Sequence, residues 1–322
     1  MVAEALAGSF APASKLKVAF HAIAASPARL PKVLPAVTRF LSHSKARTAA
    51  QRCEINSLED HRGNYAALAA MLGRAGMTAS DEEIDELAAL MPERPGSLSW
   101  ADCFFLAAVT SIIAPERMIE IGTLSGFSTG VMAAAIRRRR PTAAVVVDTI
   151  DLRTHCHNDP QHPIGYAIAT VFPQHAHAIR IHTGQTSAFV ATLAAPDELE
   201  LAFIDASHRH PNPLLDLLRI AARMRPGGWI LLHDIRLATI ADEMRAAGAE
   251  PPPNAPAGAE WLFEAWPFPK ISGGNIGAVQ LPKDKAALAP FALEMMRLPA
   301  ELTPRNAAEA AAAVYVALRD LA

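Results

Sequence analysis

Cysteine is scarce in this chain: Cys53, Cys103 and Cys156 are the only three in 322 residues, odd in number and far apart. Such spacing argues against a disulfide framework and fits a reducing cytosol. An excess of charge of one sign is lacking too. A formal net charge of −2 gives no electrostatic reason to expect a nucleic acid or a membrane surface as partner. The longest apolar stretch, around Phe104 to Ala114, falls well short of the ~20 residues that a membrane-spanning helix needs. No basic residue precedes Lys15, so the N-terminal stretch lacks the charged start of a secretory signal. The expectation is a soluble cytoplasmic protein. What the chain has is apolar content: 51% of residues are hydrophobic and 19% charged, enough for a sizeable core and against long disorder.

Three regions are expected. Residues 1–95 read as a helical arm, with an amphipathic stretch at Leu34 to Phe40 among Pro27, Pro31 and Pro35. Within it, Ser80 followed by Asp81, Glu82 and Glu83 has the form of a capped helix start. Over residues 96–282 short apolar runs alternate with helical segments. Candidate strands are Met118–Ile121, Ala144–Ile150, Ile179–His182, Leu201–Ile204 and Trp229–Leu232, with two more near Leu262–Trp266 and Ile276–Leu281. This alternation predicts an α/β fold with a doubly wound, mostly parallel, seven-stranded sheet, joined by right-handed crossovers. Residues 283–322 return to helix, and the Ala-rich stretch 307–313 reads as a packed helix.

The segment Met118-Ile-Glu-Ile-Gly-Thr-Leu-Ser-Gly-Phe-Ser128 is the most informative. A strand carrying Glu120 leads through a loop with Gly122 and Gly126 into a helix expected over Thr129–Arg139, whose terminal Arg137–Arg140 reads as solvated surface. Glycines here permit positive φ and close approach of a ligand to the backbone. The N–H groups at the helix start suit a carboxylate or a phosphate. A dinucleotide fingerprint needs G-x-G-x-x-G, and the single Gly122-x-x-x-Gly126 spacing does not supply it. An acid beside the glycines repels a pyrophosphate and suits a cationic amine or sulfonium.

This segment resembles motif I of class I methyltransferases, in the E-I-G-x-x-x-G-x-S form of small-molecule O-methyltransferases. The resemblance implies a Rossmann-like methyltransferase fold that binds S-adenosylmethionine. It also implies that Glu120 meets the methionine amino end, that Gly122, Thr123 and Gly126 lie against the cofactor, and that Ser128 caps the helix near its carboxylate. An acid closing the second strand can accept both ribose hydroxyls. Asp151 in Thr149-Ile-Asp-Leu-Arg153 is the first choice for that acid and Asp148 the reserve. Beyond it, His155, Cys156, His157, Asp159 and His162 have no recognised zinc spacing and read as a solvated loop. The third strand leads to Gly184-Gln185-Thr186, which resembles the loop bordering the adenine.

Asp205 ends the fourth strand, with His208 just beyond, and Arg225-Pro-Gly-Gly228 stops a helix over Leu214–Met224. The next strand ends in His233-Asp234, so Glu120, Asp205 and Asp234 are expected on one carboxyl-end rim. Two carboxylates there can hold a hard divalent cation. The pattern Ile204-Asp-Ala-Ser-His208, Arg225-Pro-Gly-Gly228 and Leu232-His-Asp234 resembles I-D-G-S-H … L-x-P-G-G … H-D of metal-dependent O-methyltransferases, including those acting on macrolide sugars. It implies Asp205 and Asp234 as Mg²⁺ ligands, His208 as catalytic base and Asp205 also in catalysis and cofactor binding. Ala206 and Ile235 depart from the pattern, Ile235 standing where catechol-type relatives have a ligating Asn. That leaves His233 or water as third ligand.

The function expected is methyl transfer to a hydroxyl of a small-molecule acceptor, with no nucleic-acid or membrane partner. A homodimer formed through the arm is a further expectation from the resemblance. Alternatives are a metal-free methyltransferase using His208 alone, a non-catalytic cofactor-binding protein, a relative of methyltransferase-like antibiotic-tailoring hydroxylases, and a nicotinamide-dependent oxidoreductase. The last would require the missing third glycine.

Overall fold

The computed structural model describes residues 51–52, 61–74, 77, 79–90, 98–142, 147–252 and 255–321. The stretch Leu34 to Phe40 and Cys53 lie outside them. Eight strands make one sheet: β1 (Gln51–Arg52), β2 (Met118–Ile121), β3 (Val147–Asp151), β4 (Ile179–Thr183), β5 (Leu199–Ile204), β6 (Met224–His233), β7 (Lys270–Ser272) and β8 (Ile276–Gln280). Their order across the sheet is β1-β7-β8-β6-β5-β2-β3-β4. Only β8 runs antiparallel to its neighbours β6 and β7. The chain thus winds outward from β2 in both directions, and β2 sits at the switch point between β3 and β5. The two-residue β1 adds a parallel edge beside β7, so the arm contributes to the sheet as well as to its cover.

Side-chain alternation sorts the core into two halves. Met118, Val147, Leu201, Phe203 and Leu231 face one side, packed under α1 (His61–Met71), α2 (Asp81–Ala89), α3 (Trp100–Ile113) and α4 (Phe127–Arg139). Ile119, Ile150, Ala202, Ile204 and Leu232 face the other. The described part of the arm therefore covers the first face. Ser80 caps α2 by accepting from the Glu83 N–H at 3.1 Å. The run Arg137–Arg140 is not solvated surface as expected, because it ties α4 to the arm. Arg139 binds Glu83 at 2.8 Å and the Tyr65 hydroxyl at 3.0 Å, and Arg138 meets Glu86.

The second face is covered by α7 (Asn212–Ala221), α9 (Gly258–Ala265), α10 (Leu288–Met295) and α11 (Pro304–Arg319), after the short α5 (Tyr166–Val171) and α6 (Val190–Leu193) and the surface helix α8 (Leu237–Ala246). Leu262–Trp266, expected as a strand, lies largely in α9. Trp261, Leu262, Phe263, Ala265 and Trp266 are all buried, and a short apolar run buried all round carries no period to separate strand from helix. The strand of this region is β7, eight residues after Leu262. Arg225–Gly228, expected to follow a helix as a stop, is drawn into the start of β6, where the pairing with β5 shifts register between Leu199 and Leu201. Among the described residues no helix is long and apolar enough to cross a membrane.

Candidate active site at the carboxyl ends of the central strands

Parallel register brings the strand ends level: Ile121 pairs with Ile150 and with Ile204, and Ile204 with Leu232. Asp151, Asp205 and Asp234 therefore emerge along one edge, beside the glycine loop. The ladder runs on past β2, with Gly122 N–H donating to Ile150 O at 2.9 Å and Asp205 N–H to Ile121 O at 2.8 Å. Gly122 has φ +99°, and a Cβ there would lie 2.1 Å from the Asp205 carbonyl oxygen. Its lack of a side chain thus serves the contact between two strand ends. Gly126, at φ +82°, starts α4 with no side-chain cap. Ser128 does not cap the helix as expected. Its hydroxyl turns inward and donates to Glu120 at 2.6 Å.

Glu120 sits one rung below the rim, fully buried, opposite Thr149 and Phe203. Its carboxylate accepts from Ser128, Thr129 and, at 2.6 Å, Thr149. Burial pushes this carboxyl up to about 7, opposed by the three hydroxyls and reinforced by Asp205. The structure thus sets Glu120 one rung below the rim on which the sequence places it. Glu120 instead knits β2, β3 and α4 together beneath the loop.

Asp151 closes β3, and its Oδ2 accepts the loop N–H groups of Thr123 and Leu124, each at 3.1 Å, while Oδ1 accepts from Arg153 N–H at 2.8 Å. Gly184 is exposed at φ +72° with open space where a Cβ would be. Gln185 N–H donates to Asp151 O at 3.1 Å, so the Gly184-Gln185 loop borders Asp151. Asp148, the reserve ribose acid, points to the opposite face and is enclosed by Arg117 (2.8 Å), Arg180 (3.0 Å) and His182 (2.9 Å). It is a structural ion-pair centre.

Asp205, His208 and Asp234 converge across the β5 and β6 ends. His208 Nε2 lies 3.0 Å from Asp234 Oδ2 and 3.6 Å from Asp205 Oδ1. The three offer ligand atoms all within 4.8 Å of one another, the one such group of His, Cys, Asp and Glu found among the described residues. His233, the expected alternative third ligand, is 2% exposed and lies behind them, its Nδ1 at 3.0 Å from Asp205 Oδ1 and its Nε2 at 3.6 Å from Asp102. Burial works to lower its pKa, but Asp205, Asp102 and Asp234 hold it well above the ordinary value. With Nδ1 on Asp205 and Nε2 turned toward Asp102, His233 steadies Asp205 from behind.

Two residues of this cluster escaped the sequence reading. Asp102 also forms the capping box of α3 with Ser99. Asn275, in the β7–β8 turn, donates to Asp234 Oδ1 at 2.7 Å and accepts from Arg236 N–H at 3.0 Å. Asp234 itself has φ +58°, a left-handed backbone that non-glycine residues adopt at a cost, often at functional sites. The Gly273-Gly274 pair before Asn275 was the available signal of a tight turn aimed at this edge. A cavity of about 460 Å³ lined by Glu86, Arg137 and His175 lies at the far end of α4 from the loop and is separate from this site.

Strand order, antiparallel β8 and an acid-bearing rim around β2 define a class I methyltransferase-type fold. Consistently, residues 119–235 match the family described as a methyltransferase domain. Three solved structures are similar to the chain. Cofactor-bound Rv0187 from MTB is 20% identical, covering 68% of this chain and 97% of its own, with a TM-score of 0.42. TomG from Streptomyces achromogenes, an O-methyltransferase involved in tomaymycin synthesis, is 16% identical over 68% of this chain and 98% of its own, with a TM-score of 0.41. An O-methyltransferase from Bacillus cereus is 18% identical over 68% and 99%, with a TM-score of 0.40. No curated protein sequence matches the chain.

Proposed function

We propose that the domain methylates a hydroxyl of a small molecule, with a divalent cation such as Mg²⁺ on Asp205 and Asp234 and with His208 as the base. The observation that carries this reading is the meeting of Asp205, His208 and Asp234 beside the glycine loop. Two carboxylates and an imidazole, each partly exposed, are a donor set that a hard cation accepts. The cofactor fits as well: the open space at Gly184 and the Asp151 carboxylate, held by the Thr123 and Leu124 N–H groups, suit an adenosine with two ribose hydroxyls.

S-Adenosylmethionine, when bound, supplies an electrophilic methyl group on a sulfonium, activated by its own chemistry. The cation, when held, lowers the pKa of an acceptor hydroxyl. The chain's own residues do the rest. Asp151, held by the Thr123 and Leu124 N–H groups, orients the ribose side, and His208 takes the hydroxyl proton at Nε2. His233 and Asn275 hold Asp205 and Asp234 in place. The same distances favour a second reading, in which His208 Nε2 is the third cation ligand and therefore not the base.

The test is transfer of labelled methyl from S-adenosylmethionine to a panel of hydroxylated small molecules. H208A should lower turnover about 10²-fold or more, and EDTA should abolish it. Retained turnover in H208A removes the base, and indifference to EDTA removes the cation. Mn²⁺ affinity separates the two roles of His208, since a base leaves it unchanged in H208A and a ligand does not. Binding of S-adenosylmethionine with no transfer to any acceptor would favour a non-catalytic domain.

A further inference from the structure

Resting on the reading of His208 as a working residue, we propose that Glu301 in the C-terminal tail is a positioning residue that holds the His208 loop in place. Glu301 lies between α10 and α11, more than sixty residues beyond the segment that matches the methyltransferase domain. Its carboxylate accepts from His210 N–H at 2.8 Å and from Ala257 N–H at 2.9 Å, and also from Gly258 N–H. Its own N–H donates to His210 O at 3.0 Å, so residues 301 and 210 are joined both ways.

The other side of the loop is closed by Gly258, at the start of α9. A Cβ on it would stand 2.3 Å from His210 N and 2.6 Å from His208 O, so the backbone of residues 208–210 lies hard against it. His210 is buried against Trp261, with ring centroids 5.8 Å apart, which anchors the same stretch from within. Ser207 is tied to Asn212 at 2.9 Å. Between these anchors the His208 ring is directed toward Asp205 and Asp234. A backbone with three N–H groups converging on one part-buried carboxylate loses that direction when the carboxylate is removed. Glutamine replaces only half of it, since its NH₂ faces an N–H donor.

The experiment uses the full chain labelled with ¹³C at histidine ring carbons, the His208 signal being the one missing from H208A. In E301A the His208 signal should move by more than its linewidth. Amide exchange at His210 and Ala257 should quicken at least tenfold, while the β2 amides keep their wild-type rates. E301Q should move both readouts in the same direction and less, and it carries the test alone if E301A fails to fold. The proposal is overturned if the two amides quicken while the His208 signal stays put, or if the signal moves only together with faster exchange throughout β2. If no methyl transfer is found, the functional reading fails while these two readouts still decide the latch. If H208A loses turnover and E301A keeps it, the latch fails alone.

Discussion

At Glu120 burial and hydrogen bonding pull against each other, and burial wins, with the carboxyl raised to about 7 from an ordinary 4.5. Between those values the folded protein keeps a proton that the unfolded chain has released. The stability this proton contributes is complete below about pH 4.5 and is lost as pH rises through about 7. Glutamine mimics the protonated form at every pH. Relative to wild type, E120Q should therefore gain about 2 to 3 kcal/mol of stability between pH 5 and pH 8 in urea denaturation. A difference between the two proteins that stays flat with pH would contradict it. Asp216, also raised by burial, to about 6, is common to both proteins and cancels. Gly122 gives a second prediction at this scale. G122A forces a side chain into positive φ and onto the Asp205 carbonyl, and should cost about 3 kcal/mol or more in the same measurement. The sequence identified both positions as special. Which way Glu120 turns depends on Thr149 from a neighbouring strand and on Thr129, and no local pattern carries that information.

Secondary-structure elements with a period were legible. The expected strand Met118–Ile121 has the observed bounds, and helix α7 lies within three residues of its expected span Leu214–Met224. Elements without a period were not. In α9, apolar residues on all sides hide the helical repeat, and in the Arg137–Arg140 run the partners Glu83 and Glu86 come from a separate helix. Asn275 reaches the site through the β6–β8 pairing, a contact between strands some forty residues apart in sequence. The tail was read as a packed helix, and Val314 and Ala317 do belong to the core against α7. Placing a carboxylate there, in V314D, should destabilise the protein by about 3 kcal/mol or more, because a fully buried position offers the charge no partner. An unchanged denaturation midpoint would show that α11 does not depend on that contact.

Across the whole molecule, one sheet organises everything else. The described helices of the arm cover one face and the tail the other, and the strands open their carboxyl ends toward the edge where the acids gather. Chemistry is thereby separated from packing: Asp148 and Asp216 serve the interior, and Asp151, Asp205 and Asp234 serve the edge. The most direct measurement is calorimetric titration of the full chain with S-adenosylhomocysteine and, in parallel, with NAD, for wild type and D151N. The account predicts that S-adenosylhomocysteine binds, that D151N weakens it about tenfold or more, equivalent to about 1.4 kcal/mol, and that NAD gives no heat of binding. Binding of NAD alone, or binding of S-adenosylhomocysteine that ignores D151N, would contradict it.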